Sequence, residues 1–276
     1  LLALLAPVLA LEIVNLGRLN ASLSEIINIR SFEPLPGTDA GDSRAAGTVG
    51  WDVVVPVVVS FPVISCAPAW LRDCSDLPIN SPSGIYVIQP EGYQSIMVYC
   101  EMNGKDPGWT VIQRNNRDTS ITWNESWSTY KHGFGNVHTE FWLGTEYIHQ
   151  ITKRKVYQVR FLIWDASDNK QFADYNLFSL DDESQGYRLR LGAHSGTAED
   201  AMAAVSTSTV HDNMKFSTKD QDQDTSSGNC ASNSGGGWWY SSCYSVLLNF
   251  KGPLTWGNLC KGNCRASAIL IKPLTC

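Results

Sequence analysis

From Cys74 to the end of the chain, apolar residues come in short runs separated by polar and glycine-rich stretches. The run at 187–191, YRLRL, alternates polar and apolar side chains with the period of two that a half-exposed strand requires. The other strand-like runs are residues 84–88, 109–112 and 157–163. Helical stretches are few and short, at residues 126–132 and 143–150. The pattern predicts an α+β domain with an antiparallel sheet, few short helices and long loops.

Before Cys74 the pattern is different. Residues 1–10, LLALLAPVLA, are apolar and end in a small residue, which is typical of the core and cleavage site of a signal peptide. A buried strand or helix end is the alternative. Next comes a 3-4-3 apolar spacing at Leu16, Leu19, Leu23 and Ile26. This spacing suits a coiled-coil seam, but it covers less than two heptads, so a surface helix is favoured.

These differences divide the chain into three predicted regions. Residues 1–10 are a signal-peptide remnant, residues 11–73 a poorly ordered N-terminal segment and linker, and residues 74–276 the folded domain. The apolar run at 52–65 is too short to cross a membrane and contains two prolines, so we predict no membrane span.

Composition narrows the classes of function. Hydrophobic residues are 43% and charged residues 17% of the 276, which excludes a mostly disordered chain. The formal net charge is -6 and the densest basic cluster is residues 153–155, so we predict no nucleic-acid partner. The motifs G-x-S-x-G and H-E-x-x-H do not occur, and the five histidines are scattered. We therefore predict that the protein is not an enzyme.

Eight cysteines indicate an oxidising compartment. They stand at positions 66, 74, 100, 230, 243, 260, 264 and 276. There is no C-x-x-C pair and no histidine at zinc spacing, so a disulfide framework is favoured over a metal site. Such frameworks belong to secreted proteins, and the N-glycosylation sequons at Asn20 and Asn124 agree with secretion. We predict a secreted, extracellular protein whose cysteine pairing the spacing alone leaves open.

Carboxylates alternate with other residues in the segment 220–230, DQDQDTSSGNC. Carboxylates at every second position can converge on one hard cation, and calcium takes about six to eight oxygens from carboxylates, main-chain carbonyls and water. An EF-hand needs glycine and glutamate where this chain has Thr225 and Ala231, so that loop type is excluded. The stretch 226–228 can bend to offer carbonyls instead. We predict a Ca²⁺ site of another kind, and a solvated acidic turn is the alternative.

The segment between Cys230 and Cys243 combines three glycines with three aromatic residues. Glycines at 235–237 permit a tight backbone path around the bulky rings that follow. We expect the tryptophans of the chain to pack mostly in the core. The alternative is a ligand-binding face that contains Trp238, Trp239, Tyr240 and Tyr244.

Ordered motifs extend from residue 74 to about residue 273. They are CSDL at 74–77, SGIY at 83–86, VYCEM at 98–102, GWTVIQR at 108–114, YKHGFG at 130–135, EFWLG at 140–144, ADY at 173–175, MKFST at 214–218, GNCA at 228–231 and WW at 238–239. Together with the acidic segment, these motifs resemble the fibrinogen C-terminal globular domain. The resemblance implies a three-part α+β domain.

The resemblance also implies particular sites. It implies the disulfides Cys74–Cys100 and Cys230–Cys243. It further implies a Ca²⁺ site formed by the side chains of Asp222 and Asp224 and the carbonyls of Ser226 and Gly228, with Asp220 in the outer coordination shell or acting through water. Four cysteines are outside the common framework. Cys260 and Cys264 are close enough to pair locally, whereas Cys66 and Cys276 either pair with each other, which is slightly favoured, or reach another chain.

Departures from the family bear on the ligand. The family usually has histidine directly after the second cysteine of the 230–243 pair, where this chain has Tyr244. An aromatic residue of the acetyl-group-binding lectin members corresponds to Ser234, and the segment that follows is shortened. These changes remove groups that a small ligand needs. In these departures the chain resembles the fibrinogen-like protein 1-like group of the family.

We therefore predict a secreted calcium-binding recognition domain that binds an extracellular protein or receptor. The alternative is lectin-like binding of acetylated glycans in innate immunity. In either case the predicted role of Ca²⁺ is structural. Glycosylation is predicted at Asn124, and the formation of a homo-oligomer is left open.

Overall fold

The computed structural model of the chain describes residues 70–203 and 206–274. The predicted signal-peptide remnant, the apolar repeat at 16–26 and the linker lie outside the described residues. The same holds for Cys66, Cys276 and the sequon at Asn20.

Within the described residues the chain forms an α+β domain of thirteen strands and a few short helices. The strands are β1 (Gly84–Ile88), β2 (Ile96–Glu101), β3 (Trp109–Asn116), β4 (Phe134–Gly135), β5 (Phe141–Trp142), β6 (Tyr157–Trp164), β7 (Lys170–Leu180), β8 (Leu189–Leu191), β9 (His194–Gly196), β10 (Val246–Leu247), β11 (Leu254–Trp256), β12 (Cys260–Cys264) and β13 (Ala266–Pro273). The α-helices are α1 (Trp127–His132), α2 (Thr145–Thr152) and α3 (Cys230–Ser234), and two 3₁₀ turns cover Cys74–Asp76 and Glu183–Gln185. The predicted fold class is confirmed.

The main sheet is antiparallel and has the strand order β1-β2-β3-β13-β6-β7-β8. Its central strand is β13, the last in sequence, which inserts between β3 and β6. The side chains of β13 alternate in direction, and Ile269 and Ile271 face the core, where both are buried. Strand β6 shows the same alternation, with buried side chains at every second position. A second sheet has the order β10-β11-β12.

The two predicted helices form close to their predicted places. Helix α1 starts after Ser126, whose side-chain oxygen accepts a hydrogen bond from the backbone N–H of Thr129. Helix α2 packs Tyr147, Ile148 and Ile151 against the core. It starts two residues later than predicted, because Gly144 precedes it with a φ of 114° that a helix does not allow.

The predicted strand at 187–191 is shorter in the structure, where β8 is only Leu189–Leu191. Gly186 and Tyr187 have positive φ values of 71° and 46°. Both residues are therefore in the left-handed region, which belongs to a turn and not to an extended strand.

Three disulfides link the described residues. Cys74–Cys100 joins the first 3₁₀ turn to β2, Cys230–Cys243 joins α3 to the segment before β10, and Cys260–Cys264 joins the two ends of β12. The sulfur–sulfur distances are 1.97, 2.01 and 2.01 Å. The first two pairs are those that the family resemblance implies, and the third is the local pair expected from the spacing.

Candidate calcium loop and binding face

The acidic loop, residues 220–230, is shaped by side-chain oxygens at alternate positions. Asp222 Oδ1 accepts from the N–H of Asp224 at 3.3 Å, and Asp224 Oδ1 accepts from the N–H of Ser226 at 2.8 Å. Ser226 Oγ in turn accepts from the N–H of Gly228 at 3.3 Å. Each side chain bonds to the backbone two residues further on, so the loop curls with its alternate side chains on one side. The D-x-D-x-S-x-G spacing in the sequence encodes this shape.

Asp220 makes different contacts from Asp222 and Asp224, because it bonds outside the curled part of the loop. Its Oδ1 accepts from the backbone N–H of Trp127 and from the hydroxyl of Thr218, each at 2.8 Å. Burial opposes ionisation, but these two hydrogen bonds hold the pKa of the Asp220 carboxyl below its usual value. Asp220 therefore stays charged and ties the loop to the start of α1.

Asp222 and Asp224 lie side by side. Partial burial raises the pKa of the Asp224 carboxyl, and the neighbouring Asp222 carboxyl raises it further because two like charges oppose each other. The second oxygen of Asp224 accepts from the N–H of Cys230 at 2.8 Å, at the start of α3. The pair thus concentrates negative charge at a fixed place next to the Cys230–Cys243 disulfide.

The donor set of the loop fits a hard cation. No hydrogen bond among the described residues ends on the main-chain carbonyls of Ser226 and Gly228, so these oxygens are free to bind an ion. No group of three or more His, Cys, Asp and Glu side chains is close enough to hold a metal in the ranges 70–203 and 206–274. A cation here has to combine the two aspartates with carbonyls and water, which is a donor set that Ca²⁺ accepts.

The glycines at 235–237 are needed for three different reasons. Gly235 ends α3 in the left-handed conformation with a φ of 76°. A Cβ on Gly236 would overlap the backbone oxygen of Asn249, and a Cβ on Gly237 would lie 2.7 Å from the ring of Tyr130. The glycines therefore allow backbone and rings to approach closely, as the sequence predicts.

Three of the four aromatic residues of the predicted ligand-binding face are in the core. Trp238, Trp239 and Tyr240 are at most 1% exposed. The ring of Trp239 packs edge-on against Phe216 at 5.3 Å, and its indole N–H donates to the carbonyl of Tyr187 at 2.9 Å. These three rings offer no surface to a ligand, whereas Tyr244 is 37% exposed.

His211 is a buried polar residue whose place in the core no sequence motif predicts. Its Nδ1–H donates to the carbonyl of Trp239 at 2.8 Å, and its Nε2 accepts from the N–H groups of Ser245 at 3.1 Å and Val246 at 3.0 Å. A carbonyl only accepts and an N–H only donates, so this tautomer is neutral. Burial lowers the pKa of His211 to about 4, which keeps it neutral at ordinary pH.

Buried amides connect the main sheet to the segment that follows β10. Asn115 Nδ2 donates to the carbonyls of Leu248 and Phe250, each at 2.8 Å. Gln113 Nε2 donates to Asn249 Oδ1 at 3.1 Å, and Asn249 Nδ2 donates to the carbonyl of Gly237. These residues were not predicted from the sequence, because β3 has five polar residues, Thr110, Gln113, Arg114, Asn115 and Asn116, and the pattern does not show which of them are buried.

These features define a disulfide-linked α+β domain built on an antiparallel sheet. More narrowly, the chain belongs to the fibrinogen C-terminal globular domain family. The family described as "Fibrinogen beta and gamma chains, C-terminal globular domain" matches residues 70–263. It is a family of binding domains and is not a known enzyme family.

Three individual proteins illustrate this similarity. Fibrinogen-like protein 1-like protein of Gallus gallus is 46% identical over 233 residues, which are 81% of this chain and 82% of the relative. The fibrinogen-like globe domain of human ANGPTL6 has a TM-score of 0.68 and 35% identity, and the match covers 75% of this chain and 96% of that one. The lamprey fibrin D-dimer, solved with the peptide ligand Gly-His-Arg-Pro-amide, has a TM-score of 0.68 and 28% identity, covering 76% and 77%.

None of the helices among the described residues is long and apolar enough to cross a membrane. The glycosylation sequon at Asn124 lies on the surface just before α1.

Proposed function

We propose that this chain is a secreted recognition domain that binds an extracellular protein and holds Ca²⁺ in its acidic loop. Membership of a family of binding domains and the three disulfides support extracellular binding. The observation that favours a protein partner over a sugar is the burial of Trp238, Trp239 and Tyr240. A sugar site needs accessible rings and converging polar groups, and these rings are not accessible.

The proposed ion is held by the carboxylates of Asp222 and Asp224 and the carbonyls of Ser226 and Gly228. The ion would neutralise the two adjacent carboxylates, whose like charges oppose each other. Asp220 supports the site by fixing the loop to α1 and is not a ligand in this proposal. The role of the ion is structural, because the loop is joined directly to α3 and its disulfide.

Glycosylation at Asn124 is part of this proposal. Asn124 is exposed, and its carbonyl accepts from the ammonium group of Lys219 at 2.7 Å. A glycan there would project from the surface beside the acidic loop without disturbing its ligands.

Binding of the labelled full chain to cell surfaces tests the protein-partner proposal. We expect binding that is lost when the cells are first treated with protease and that survives excess N-acetylglucosamine. Competition by the acetylated sugar would replace the proposal with the lectin-like alternative. Absence of binding to every cell type and matrix tested would contradict both.

A further inference from the structure

The turn between β2 and β3 contains the only Asn-Gly pair of the sequence, Asn103-Gly104. Residues 103–106 are all exposed and belong to no helix or strand. In such a pair the amide nitrogen of the glycine can attack the side chain of the asparagine, because glycine has no Cβ to obstruct the approach. An exposed turn with this pair is therefore a candidate for spontaneous covalent modification.

Both reacting groups of the pair are free of hydrogen bonds. Neither the side-chain amide of Asn103 nor the N–H of Gly104 bonds to any residue that the structure describes. The space beside Gly104 is open, with no atom within 4 Å of the position that a Cβ would take. The side chain of Asn103 therefore has room to turn towards the nitrogen that would attack it.

The backbone is held immediately before the reacting atoms. The N–H of Asn103 donates to Glu101 Oε1 at 2.9 Å and to Ser83 Oγ at 3.1 Å. These bonds end at the nitrogen of Asn103 and leave its Cα, its side chain and Gly104 unrestrained. The free tip of the turn thus begins at the residue that would react.

Two other exposed asparagines lack this freedom. After Asn80, the N–H of Ser81 donates to a backbone carbonyl at 2.9 Å. After Asn258, the N–H of Leu259 donates to the carboxylate of Glu199 at 2.8 Å. In both cases the nitrogen that would attack is already held by an acceptor, and the residue that carries it has a Cβ. These two sites are therefore internal controls for the Asn-Gly turn.

We propose that Asn103 deamidates spontaneously through a cyclic imide and becomes a mixture of aspartate and isoaspartate. The nitrogen of Gly104 gives its proton to water and attacks Cγ of Asn103, so that a C–N bond forms and the side-chain nitrogen leaves as ammonia. Water then adds to one of the two imide carbonyls, and the bond from that carbonyl to the ring nitrogen breaks. Opening at the side-chain carbonyl gives aspartate, and opening at the main-chain carbonyl gives isoaspartate. Water is the only co-reactant.

The modification changes the charge and the backbone of the turn. Each converted chain carries one more negative charge than the formal net charge of -6. The new carboxylate is placed in the same turn as Asp106 and two residues after Glu101. Isoaspartate also lengthens the main chain by one carbon atom. The inference goes beyond the proposed binding function and does not depend on it.

The test follows the unmodified full chain in mildly alkaline buffer, where the nitrogen of Gly104 loses its proton more readily. Samples taken over time are digested and analysed by mass spectrometry, and isoaspartate is identified by methylation with protein isoaspartyl methyltransferase. We expect the peptide with residue 103 to convert while the peptides with Asn80 and Asn258 remain amides. Equal conversion at the three sites, or none at Asn103, overturns the proposal.

A parallel incubation in urea tests the contribution of the fold. Because the turn leaves both reacting groups free, Asn103 should convert at rates within about threefold of each other in the folded and the unfolded chain. Asn80 should convert faster once unfolding breaks the hydrogen bond of Ser81. Strong protection of Asn103 in the folded chain would mean that the turn holds it in an unreactive geometry, and the proposal would fail.

Variants locate the modification by isoelectric focusing of the aged chain. Asn103→Gln keeps an amide but moves it one methylene further from the nitrogen of Gly104, so the acidic forms should be lost. Asn80→Gln is the matched control and should keep them. Asn103→Asp carries the charge of the product and marks the position of the converted chain. Acidic forms that persist in Asn103→Gln would place the reaction at another residue and overturn the proposal.

Discussion

At the scale of single residues, Gly236 gives the sharpest test of the packing behind the acidic loop. We expect Gly236→Ala to lower the free energy of unfolding by on the order of 3 kcal/mol, because its Cβ would overlap the backbone oxygen of Asn249. That backbone cannot move freely, since buried amides hold the segment on both sides. Urea unfolding followed by tryptophan fluorescence measures the change.

Gly84→Ala is the matched control for this prediction. Gly84 starts β1, has no positive φ, and has open space where the new Cβ would stand, with no neighbouring atom within 4 Å. Its substitution should change the free energy of unfolding by less than about 0.5 kcal/mol. A similar loss in the two variants would mean that the close approach at Gly236 does not matter.

His211 makes stability depend on pH. Its pKa is about 4 in the folded chain, below the value of about 6.5 that it has when unfolded. The unfolded chain therefore takes up the proton first as the pH falls, and stability decreases between about pH 6.5 and pH 4. We expect a loss of about 2 kcal/mol at pH 5 relative to pH 7.5, measured by denaturant unfolding.

Two variants separate His211 from other titrating groups. His211→Gln should be less stable at pH 7.5, because it cannot make all three hydrogen bonds, and should lose most of the decrease toward pH 5. His138→Gln removes an exposed histidine, and this variant should still lose stability toward pH 5. If His211→Gln keeps the full decrease, the buried imidazole is not its origin.

At the scale of elements, the sequence predicts those strands and helices whose pattern is local. β1, β3 and β6 and both longer helices are found close to their predicted places. Strands of two or three residues, such as β4, β5 and β10, are too short for a period to be visible. The position of β13 between β3 and β6 depends on pairing partners more than 100 residues apart, which no local pattern encodes.

The candidate site likewise has some features that the local sequence shows and others that depend on the fold. The alternation of Asp222, Asp224 and Ser226 is local and visible in the sequence, and in the structure the hydrogen bonds of these side chains curl the loop. The hydrogen bond from the N–H of Trp127 to Asp220 joins residues 93 positions apart. That Asp220 anchors the loop to α1 is therefore visible only in the fold. The burial of Trp238 and Trp239 likewise depends on distant partners such as Phe216.

The disulfides should differ in their contribution to stability according to the loops that they close. Cys74–Cys100 joins residues 26 apart, and Cys260–Cys264 joins residues 4 apart. In the chain-entropy model the first stabilises by about 3.5 kcal/mol and the second by about 2 kcal/mol. We expect this order when each pair is replaced by alanine and unfolding is followed in urea.

Both cysteines of a pair must be replaced together, because a single replacement leaves a reactive thiol. If the Cys260–Cys264 pair contributes as much as Cys74–Cys100 or more, chain entropy is not the main effect. The small loop that it closes, residues 261–263, would then have to gain its stability from contacts in the folded state.

At the scale of the whole molecule, the acidic loop joins parts of the domain that are distant in sequence. Asp220 bonds to α1, Asp224 bonds to the start of α3, and the N–H of Thr225 donates to the carbonyl of Ser241 at 3.1 Å. An ion that fixes this loop would therefore stabilise more than the loop itself. For that reason global unfolding is a suitable measure of Ca²⁺ binding.

We expect Ca²⁺ to raise the midpoint of thermal unfolding. At a free concentration of about 100 times the dissociation constant, an ion that binds only the folded chain adds about 2.7 kcal/mol, which corresponds to roughly 5–10 °C for a domain of this size. The double variant Asp222→Asn, Asp224→Asn should unfold at the same temperature with Ca²⁺ and with EGTA.

The control for charge removal is Glu91→Gln with Asp118→Asn, two exposed carboxylates outside the acidic loop. This variant should keep the full response to Ca²⁺, because it leaves Asp222 and Asp224 and the carbonyls of the proposed site unchanged. A loss of response in the control would indicate general screening of the net charge of -6 and not a specific site. An unmodified chain that does not respond to Ca²⁺ would leave residues 220–230 as a solvated turn, held in shape by its own hydrogen bonds.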